Sequence, residues 1–218
     1  MATRKMKNKH MNGVVVAGIG TGIGKTLVAA IITEALQADY WKPVQAGNLD
    51  FTDTDFVKQH NSNTKTFFHP EAYRLTMPMS PHAAAKIDGV LIEVEKLSVP
   101  QSDNTIVIEP AGGLMVPLNE RQLNIDLLKQ WELPVILVSQ NYLGSINHTL
   151  LSVEVLKLHG IKLAGIIFNG ERNASTEDFI LGYTGVRCIG KIEYEKEITK
   201  ELVKHYADEF RKNLNEFL

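Results

Sequence analysis

A mostly parallel β-sheet with helices on both faces is the fold this sequence predicts, and three observations predict it. Apolar runs of strand length alternate with longer segments of helical period along the chain. That alternation argues for a parallel sheet covered on both sides. A glycine-rich stretch joins the first apolar run to the first helical segment. Hydrophobic residues make up 44% of the 218, enough to fill a core of that size.

Val14 to Ile19 reads as the first buried strand. Lys25 to Leu36 reads as a helix that turns Leu27, Val28, Ile31, Ile32 and Leu36 inward. Tyr40 to Val44 follows as a short strand, stopped by Pro43, which has no N–H to give a ladder. Thr105 to Glu109 is another buried strand, Asn124 to Trp131 a short helix and Val135 to Ser139 a strand. Ser145 to His159 reads as a helix ended by Gly160, a residue type that closes helices readily. Ile161 to Phe168 is the next strand, and Glu197 to Phe217 a charged, amphipathic helix. The stretch from Gly47 to Val99, with Asn, Thr and Pro scattered through it, is the least regular. No repeat or low-complexity linker divides the chain. One domain is expected over residues 13–218, behind a mobile basic tail at residues 1–12.

Composition narrows the function classes. Twenty-three Lys and Arg against 25 Asp and Glu leave a formal charge of −2. That balance gives no global footprint for nucleic acid or an anionic membrane, so neither is an expected partner. Cys188 is the lone cysteine, which excludes an internal disulfide and a thiolate metal cluster. Its apolar neighbours predict a buried, inert thiol. The basic start lacks the roughly 7–15 apolar residues of a signal peptide. No run of about 18 apolar residues offers a membrane span. Cytoplasm is the expected compartment.

The strongest motif is Gly18-Ile19-Gly20-Thr21-Gly22-Ile23-Gly24-Lys25-Thr26, between a strand and a helix. Glycines let successive backbone N–H groups curl round a phosphate, and the helix N-terminus adds the positive end of its dipole. Lys25 can reach the β- and γ-phosphates, and the Thr26 hydroxyl can ligate Mg²⁺. The outer glycine stands one residue further from the lysine than in the strict P-loop. A dinucleotide fingerprint fails, because Ile23 occupies the place of its last glycine. The fold class is therefore α/β of P-loop NTPase type. Gly20, Gly22, Ile23, Gly24, Lys25, Thr26 and Leu27 are the candidate nucleotide contacts.

Parallel sheets bind ligands beyond the carboxyl ends of their strands, so residues just after each strand carry the next signals. Glu109 ends a buried strand, where many P-loop proteins bring an acid toward Mg²⁺ and the γ-phosphate. Pro110-Ala111-Gly112-Gly113 follows, and paired glycines let a ligand approach the backbone. Asp53 and Asp55 offer a further carboxylate at a candidate helix start, where Asp is also a routine N-cap. Lys42 stands at the end of the second strand. There it is either a solvated lysine or a second cation for an anionic reactant.

Together the phosphate loop, Lys42-Pro43-Val44, Ser80-Pro81-His82, Glu109-x-Ala-Gly-Gly, Pro117-Leu118, Leu143-Gly144-x-Ile146-Asn147-His148 and Asn169 resemble the dethiobiotin synthetase family, in order and spacing, from about Gly13 to Asn169. After Asn169 the likeness is poor. The resemblance implies ATP-dependent ring closure in biotin synthesis, with 7,8-diaminononanoate, CO₂ and ATP as substrates and Mg²⁺ as the metal. It implies catalytic roles for Lys25, Lys42 and Thr21. Metal contacts would come from Thr26, Glu109 and one of Asp53 and Asp55, and a base contact from Asn169. Substrate contacts would come from Lys42, Ser80, Pro81, Gly112 and Gly113. The family also binds its diamine partly across a homodimer interface, which implicates Leu143, Gly144, Ser145, Ile146 and Asn147. Ser80 and Asn147 read equally well as helix N-caps, and His82 and His148 as ordinary helix residues.

This chain departs from the family in four places. Gly18-Ile19-Gly20-Thr21 replaces the usual Gly-Thr-Asp-Thr, Ala46 a small hydroxyl residue, Pro110 a usual glycine, and Lys191-Ile192-Glu193 a proline-containing base-binding stretch. The rival reading is a P-loop switch or partitioning ATPase. Those proteins carry a signature lysine early in the loop, where this chain has Gly20.

Overall fold

The computed structural model describes residues 12–216; the expected N-terminal tail, up to Met11, lies outside them. The chain begins with β1 (Gly13–Gly18), α1 (Lys25–Leu36), β2 (Asp39–Trp41), β3 (Val44–Ala46), α2 (Asp53–His60), β4 (Phe68–His69), β5 (Tyr73–Leu75) and α3 (Pro81–Ile87). After a 3₁₀ turn at Val94–Lys96 come β6 (Ile106–Ile108), α4 (Asn124–Trp131), β7 (Val135–Gln140) and α5 (Ser145–Leu158). It closes with β8 (Leu163–Asn169), α6 (Ala174–Thr184), β9 (Cys188–Ile192) and α7 (Lys200–Asn215).

Seven strands form one sheet in the order β4-β2-β6-β1-β7-β8-β9, and every pairing is parallel. Period-2 alternation divides β1 between two cores. Val14 and Val16 pack with α1, α2 and α7, whereas Val15 and Ala17 pack on the other face with α3, α4 and Leu156 of α5. A third cluster joins Leu137 and Phe168 to Val153 of α5 and Ile180 of α6. Since all seven strands run the same way, their carboxyl ends lie along one edge. The loops after β1, β2, β6 and β8 meet there.

Several elements differ from the sequence expectation. The strand expected over Tyr40 to Val44 is two strands in different sheets. Pro43 offers no N–H, so the ladder breaks, and Val44–Ala46 pairs instead with β5 in a two-stranded sheet. The irregular stretch from Gly47 to Val99 contains α2, β4, β5 and α3, each of eight residues or fewer. α6 and β9 were not expected at all. The last helix starts at Lys200, with the Thr199 hydroxyl accepting from the Leu202 N–H. Cys188 is half-buried rather than enclosed. Burial holds its pKa above the ordinary value, and its thiol donates to the Gly190 carbonyl.

Candidate functional site

A cleft of about 600 Å³ opens at the carboxyl edge of the sheet, between the glycine loop and the loops after β2, β3 and β6. Thr21, Gly22, Gly24, Lys25, Thr26, Lys42, Asp53, Ser80, Pro81, Glu109 and Gly112 line it. Eleven candidate residues, drawn from five stretches of the chain, thus share one cavity.

The loop owes its shape to its glycines. Gly24 sits at φ 87 as the N-cap of α1, and a Cβ there would overlap the Asn169 amide. Asn169 Nδ2 donates to the Ile23 carbonyl at 2.9 Å, so the end of β8 clamps the loop. Gly20 and Ile23 belong to the same loop, and Leu27 lies in the first turn of α1, half-buried. Lys25 folds back, its ammonium donating to the Gly20 carbonyl at 2.8 Å. Burial, opposed by Glu109 and Asp53 and reinforced by Lys42, lowers its pKa to about 8.

Glu109 is the hub of the opposite wall. It is 1% exposed, and three side chains donate to it. The Thr26 hydroxyl and Lys42 ammonium reach Oε1 at 2.9 and 3.0 Å, and the Tyr40 phenol reaches Oε2 at 2.8 Å. Lys42 also meets Asp53 Oδ2 at 2.5 Å. Burial pulls the Lys42 pKa down, but Glu109 and Asp53 outweigh it and hold it above its ordinary value. Lys42 is therefore a buried, charged lysine, and the solvated reading of it is excluded.

The two aspartates at the start of α2 do different things. Asp55 accepts from the Thr52 N–H and hydroxyl in a capping box, while Asp53 faces Lys42 in the cleft. The Gln45 side chain accepts from the Asp53 N–H at 3.2 Å and fixes that helix start. Gly112 sits at φ 66 close to Thr21 Oγ1, and Gly113 bridges to Gly18. Asn124, 1% exposed, donates to the carbonyls of Ala111 and Gly113, pinning the turn against the loop. Tyr40, Gln45 and Asn124 did not figure among the sequence candidates. Of these, Tyr40 left a signal: it stands two residues before Lys42, on the same face of its strand.

Leu143 to Asn147 lie elsewhere. Leu143, Gly144, Ile146 and Asn147 line a separate cleft with Arg172 and Asn173, and Leu143 is fully exposed. Ser145 is buried. Asn147 is not an N-cap: it is the third residue of α5, whose cap is Gly144 at φ 100. Ser80 does occupy the N-cap of α3, without a side-chain capping bond. His82 sits in α3, and His148 Nδ1 meets the Tyr142 hydroxyl at 2.8 Å. Lys191 is paired with the buried carboxylate of Glu177 at 2.6 Å. No helix among the described residues is long and apolar enough to cross a membrane.

A family profile described as "AAA domain" matches residues 12–202. An "ATP-dependent dethiobiotin synthetase BioD" from Christiangramia forsetii is 50% identical over 201 residues, covering 92% of this chain and 97% of that protein. The protein of the same name from Cytophaga hutchinsonii is 48% identical over 90% of this chain and 96% of its own length. The one from Chlamydia pneumoniae is 41% identical, over 92% and 90%. Solved structures share the fold alone. The cell division ATPase MinD of Pyrococcus furiosus superposes with a TM-score of 0.60 at 16% identity, over 95% of this chain and all of that one. A ParA family ATPase from Chlorobium tepidum gives 0.55 at 13%, over 95% and 93%. The match to the profile continues well past Asn169, beyond the motifs that carry the sequence resemblance. The partitioning ATPases are thus relatives in fold, while half of the aligned residues are identical to those of a synthetase: this chain belongs to the dethiobiotin synthetase family.

Proposed function

We propose that this chain uses ATP to close the cyclic urea of dethiobiotin from 7,8-diaminononanoate and CO₂. The observation that carries the reading is the buried, charged Lys42, set across one cleft from the phosphate loop and Lys25. One substrate amine adds to CO₂, losing a proton and forming a carbamate. A carbamate oxygen attacks the γ-phosphorus and ADP leaves; the second amine then attacks the carbonyl carbon, losing a proton as phosphate departs. Carbamate and γ-phosphate are both anions and repel at reacting distance. Lys42 and Lys25 offset that repulsion and hold the two in line. The loop N–H groups of Gly22, Gly24, Lys25 and Thr26 grip the phosphates, with Thr21 beside them. No protein nucleophile is required.

Mg²⁺ fits the donors present. The Thr26 hydroxyl and the carboxylates of Asp53 and Glu109 are hard oxygen ligands on one cleft. No group of three His, Cys, Asp or Glu among the described residues forms a closed metal cage. Mg²⁺ in nucleotide sites needs none, taking one or two carboxylates beside phosphate oxygens and water. When bound, it would neutralise phosphate charge. We assign the ligands to Thr26, Asp53 and Glu109, with Asp55 left as the cap. Residues 13–218 would act as one domain in the cytoplasm. Purified protein incubated with ATP, bicarbonate and the diamine should yield the cyclic urea by mass spectrometry. Phosphate release without that product would overturn the assignment.

We infer a homodimer in which the segment from Leu143 to Asn147 reaches the neighbour's substrate. Leu143, Leu151 and Leu158 leave apolar surface uncovered along and before α5, and two-fold dimers are the commonest oligomers. Mixing inactive Lys25→Ala chains with inactive Asn147→Ala chains is expected to restore part of the activity. No recovery after verified subunit exchange would show that each chain builds its site alone.

Base selection is expected to be loose. The phosphate grip ignores the base, and rejecting one takes groups that match its edge. A free Asn169 amide could flip to suit different bases. Its Nδ2 is held by the Ile23 carbonyl, and a flip would set oxygen against oxygen. That leaves Oδ1, an acceptor open to the exocyclic amino group that adenine, cytosine and guanine each carry. Lys191, where the family's base stretch begins, is held by Glu177. ATP, GTP and CTP should therefore compete within about a hundredfold in kcat/KM, roughly 2.7 kcal/mol. Stronger preference for ATP would show that other residues read adenine.

A further inference from the structure

The Tyr40 phenol lies beneath the cleft floor, in β2, and nothing in the reaction above uses it. Its ring is fully enclosed, tilted against Phe68 with centroids 6.3 Å apart. Its hydroxyl donates to Glu109 Oε2 at 2.8 Å, whereas the two donors that line the cleft, Thr26 and Lys42, both use Oε1. The register of β2 and β6 makes this possible. Tyr40 pairs with Val107 and Trp41 with Ile108, so Glu109 emerges just past the paired residues with both Tyr40 and Lys42 on its side. An ionised carboxylate oxygen can only accept, so the phenol is the donor of this bond.

We propose that Tyr40 is a positioning residue: its hydroxyl fixes the inner oxygen of Glu109 and so presents the outer oxygen to Thr26, Lys42 and the metal–nucleotide complex. Without that bond one carboxylate oxygen is left buried and unpaired, and the group gains a reason to rotate toward the cleft. Rotation would draw Oε1 away from the Thr26 hydroxyl. Partners of this kind, one step behind a ligand, typically change metal affinity or activity by about 10–100-fold when removed. The assignment rests on the reading of Glu109 as a Mg²⁺ contact.

Tyr40→Phe removes one oxygen and keeps the ring. The test is equilibrium binding of a non-hydrolysable ATP analogue while Mg²⁺ is titrated, with melting temperature measured beside it. The variant is expected to need about tenfold more Mg²⁺ for half-maximal tightening, with metal-free binding of the analogue unchanged. In turnover, kcat should fall while KM for ATP at saturating Mg²⁺ stays near the parent value. In a Glu109→Ala background, Tyr40→Phe should shift the Mg²⁺ requirement no further, because the group it positions is gone. A lowered melting temperature with an unchanged Mg²⁺ requirement would make Tyr40 structural and overturn the proposal. So would effects of the two substitutions that simply multiply. A parent protein whose analogue binding ignores Mg²⁺ would overturn the metal reading and the role of Tyr40 with it. A responsive parent beside an unaltered variant would overturn the role of Tyr40 alone. Should Tyr40→Phe not fold, Tyr40→Met, which also lacks the hydroxyl but fills much of the space, is read by the same criteria.

Discussion

Lys25→Ala is expected to lower phosphate release and product formation by about a thousandfold or more. Removing one preorganised donor from a developing charge typically costs about 10²–10³ in rate, and Lys25 brings a full positive charge as well. The loss should come without unfolding. In the folded chain the Lys25 pKa is lowered to about 8 by burial, so the group disfavours folding wherever the folded state must keep it charged. That penalty is complete below about pH 8 and fades as pH rises toward the unfolded value of 10.5. At pH 7 alanine removes it, and forfeits one hydrogen bond to the Gly20 carbonyl. The melting temperature should therefore stay close to that of the parent. A well-folded variant that turns over at the parent rate would sink the assignment of the nucleotide site.

Lys42→Ala should show the opposite balance, with ring closure crippled, nucleotide binding largely kept and stability reduced. Lys42 ties the half-buried Asp53 to the buried Glu109, at 2.5 and 3.0 Å. Breaking a buried pair by removing one partner costs about 3–5 kcal/mol, because the other charge is stranded. Here two carboxylates are left facing each other. The sign follows from the raised pKa of Lys42. Its contribution is fully present below the unfolded value of 10.5 and is lost only as pH climbs through the higher folded one, so at pH 7 alanine forfeits all of it. Mg²⁺ should return part of the lost melting temperature, by supplying a cation between the same oxygens. The loop contacts do not pass through Lys42, so an ATP analogue should still bind while the urea fails to form. Normal product formation with lost nucleotide affinity would contradict this role.

The contrast between the two lysines shows where sequence reading reached its limit. Lys25 was legible because its motif is local: a strand, a run of glycines and a helix start, all within a dozen residues. Lys42 was flagged by its place at a strand end, yet whether it was solvated or enclosed depends on Asp53 and Glu109, the latter 67 residues away. Asp53 and Asp55 were indistinguishable as letters. In the fold Thr52 donates to the Asp55 carboxylate through its N–H and hydroxyl, while the Asp53 carboxylate meets Lys42. Asn169 was recognised, but the fixed direction of its amide follows from a carbonyl in the loop.

By itself, the sequence determined the parallel α/β plan, the phosphate loop, the acid at the end of β6 and the family. Each of these rests on contiguous pattern: apolar runs, helical period, glycines at fixed offsets. Only the tertiary structure decided the short elements between Gly47 and Val99. Strands of two or three residues and helices of seven or eight are too brief to carry a period, and they exist because neighbours pair with them and cover them. It alone also decided the polar wiring of the cleft. A buried carboxylate must find donors wherever the fold brings them, and for Glu109 they come from α1, β2 and the break at Pro43, three places that only the sheet order sets side by side.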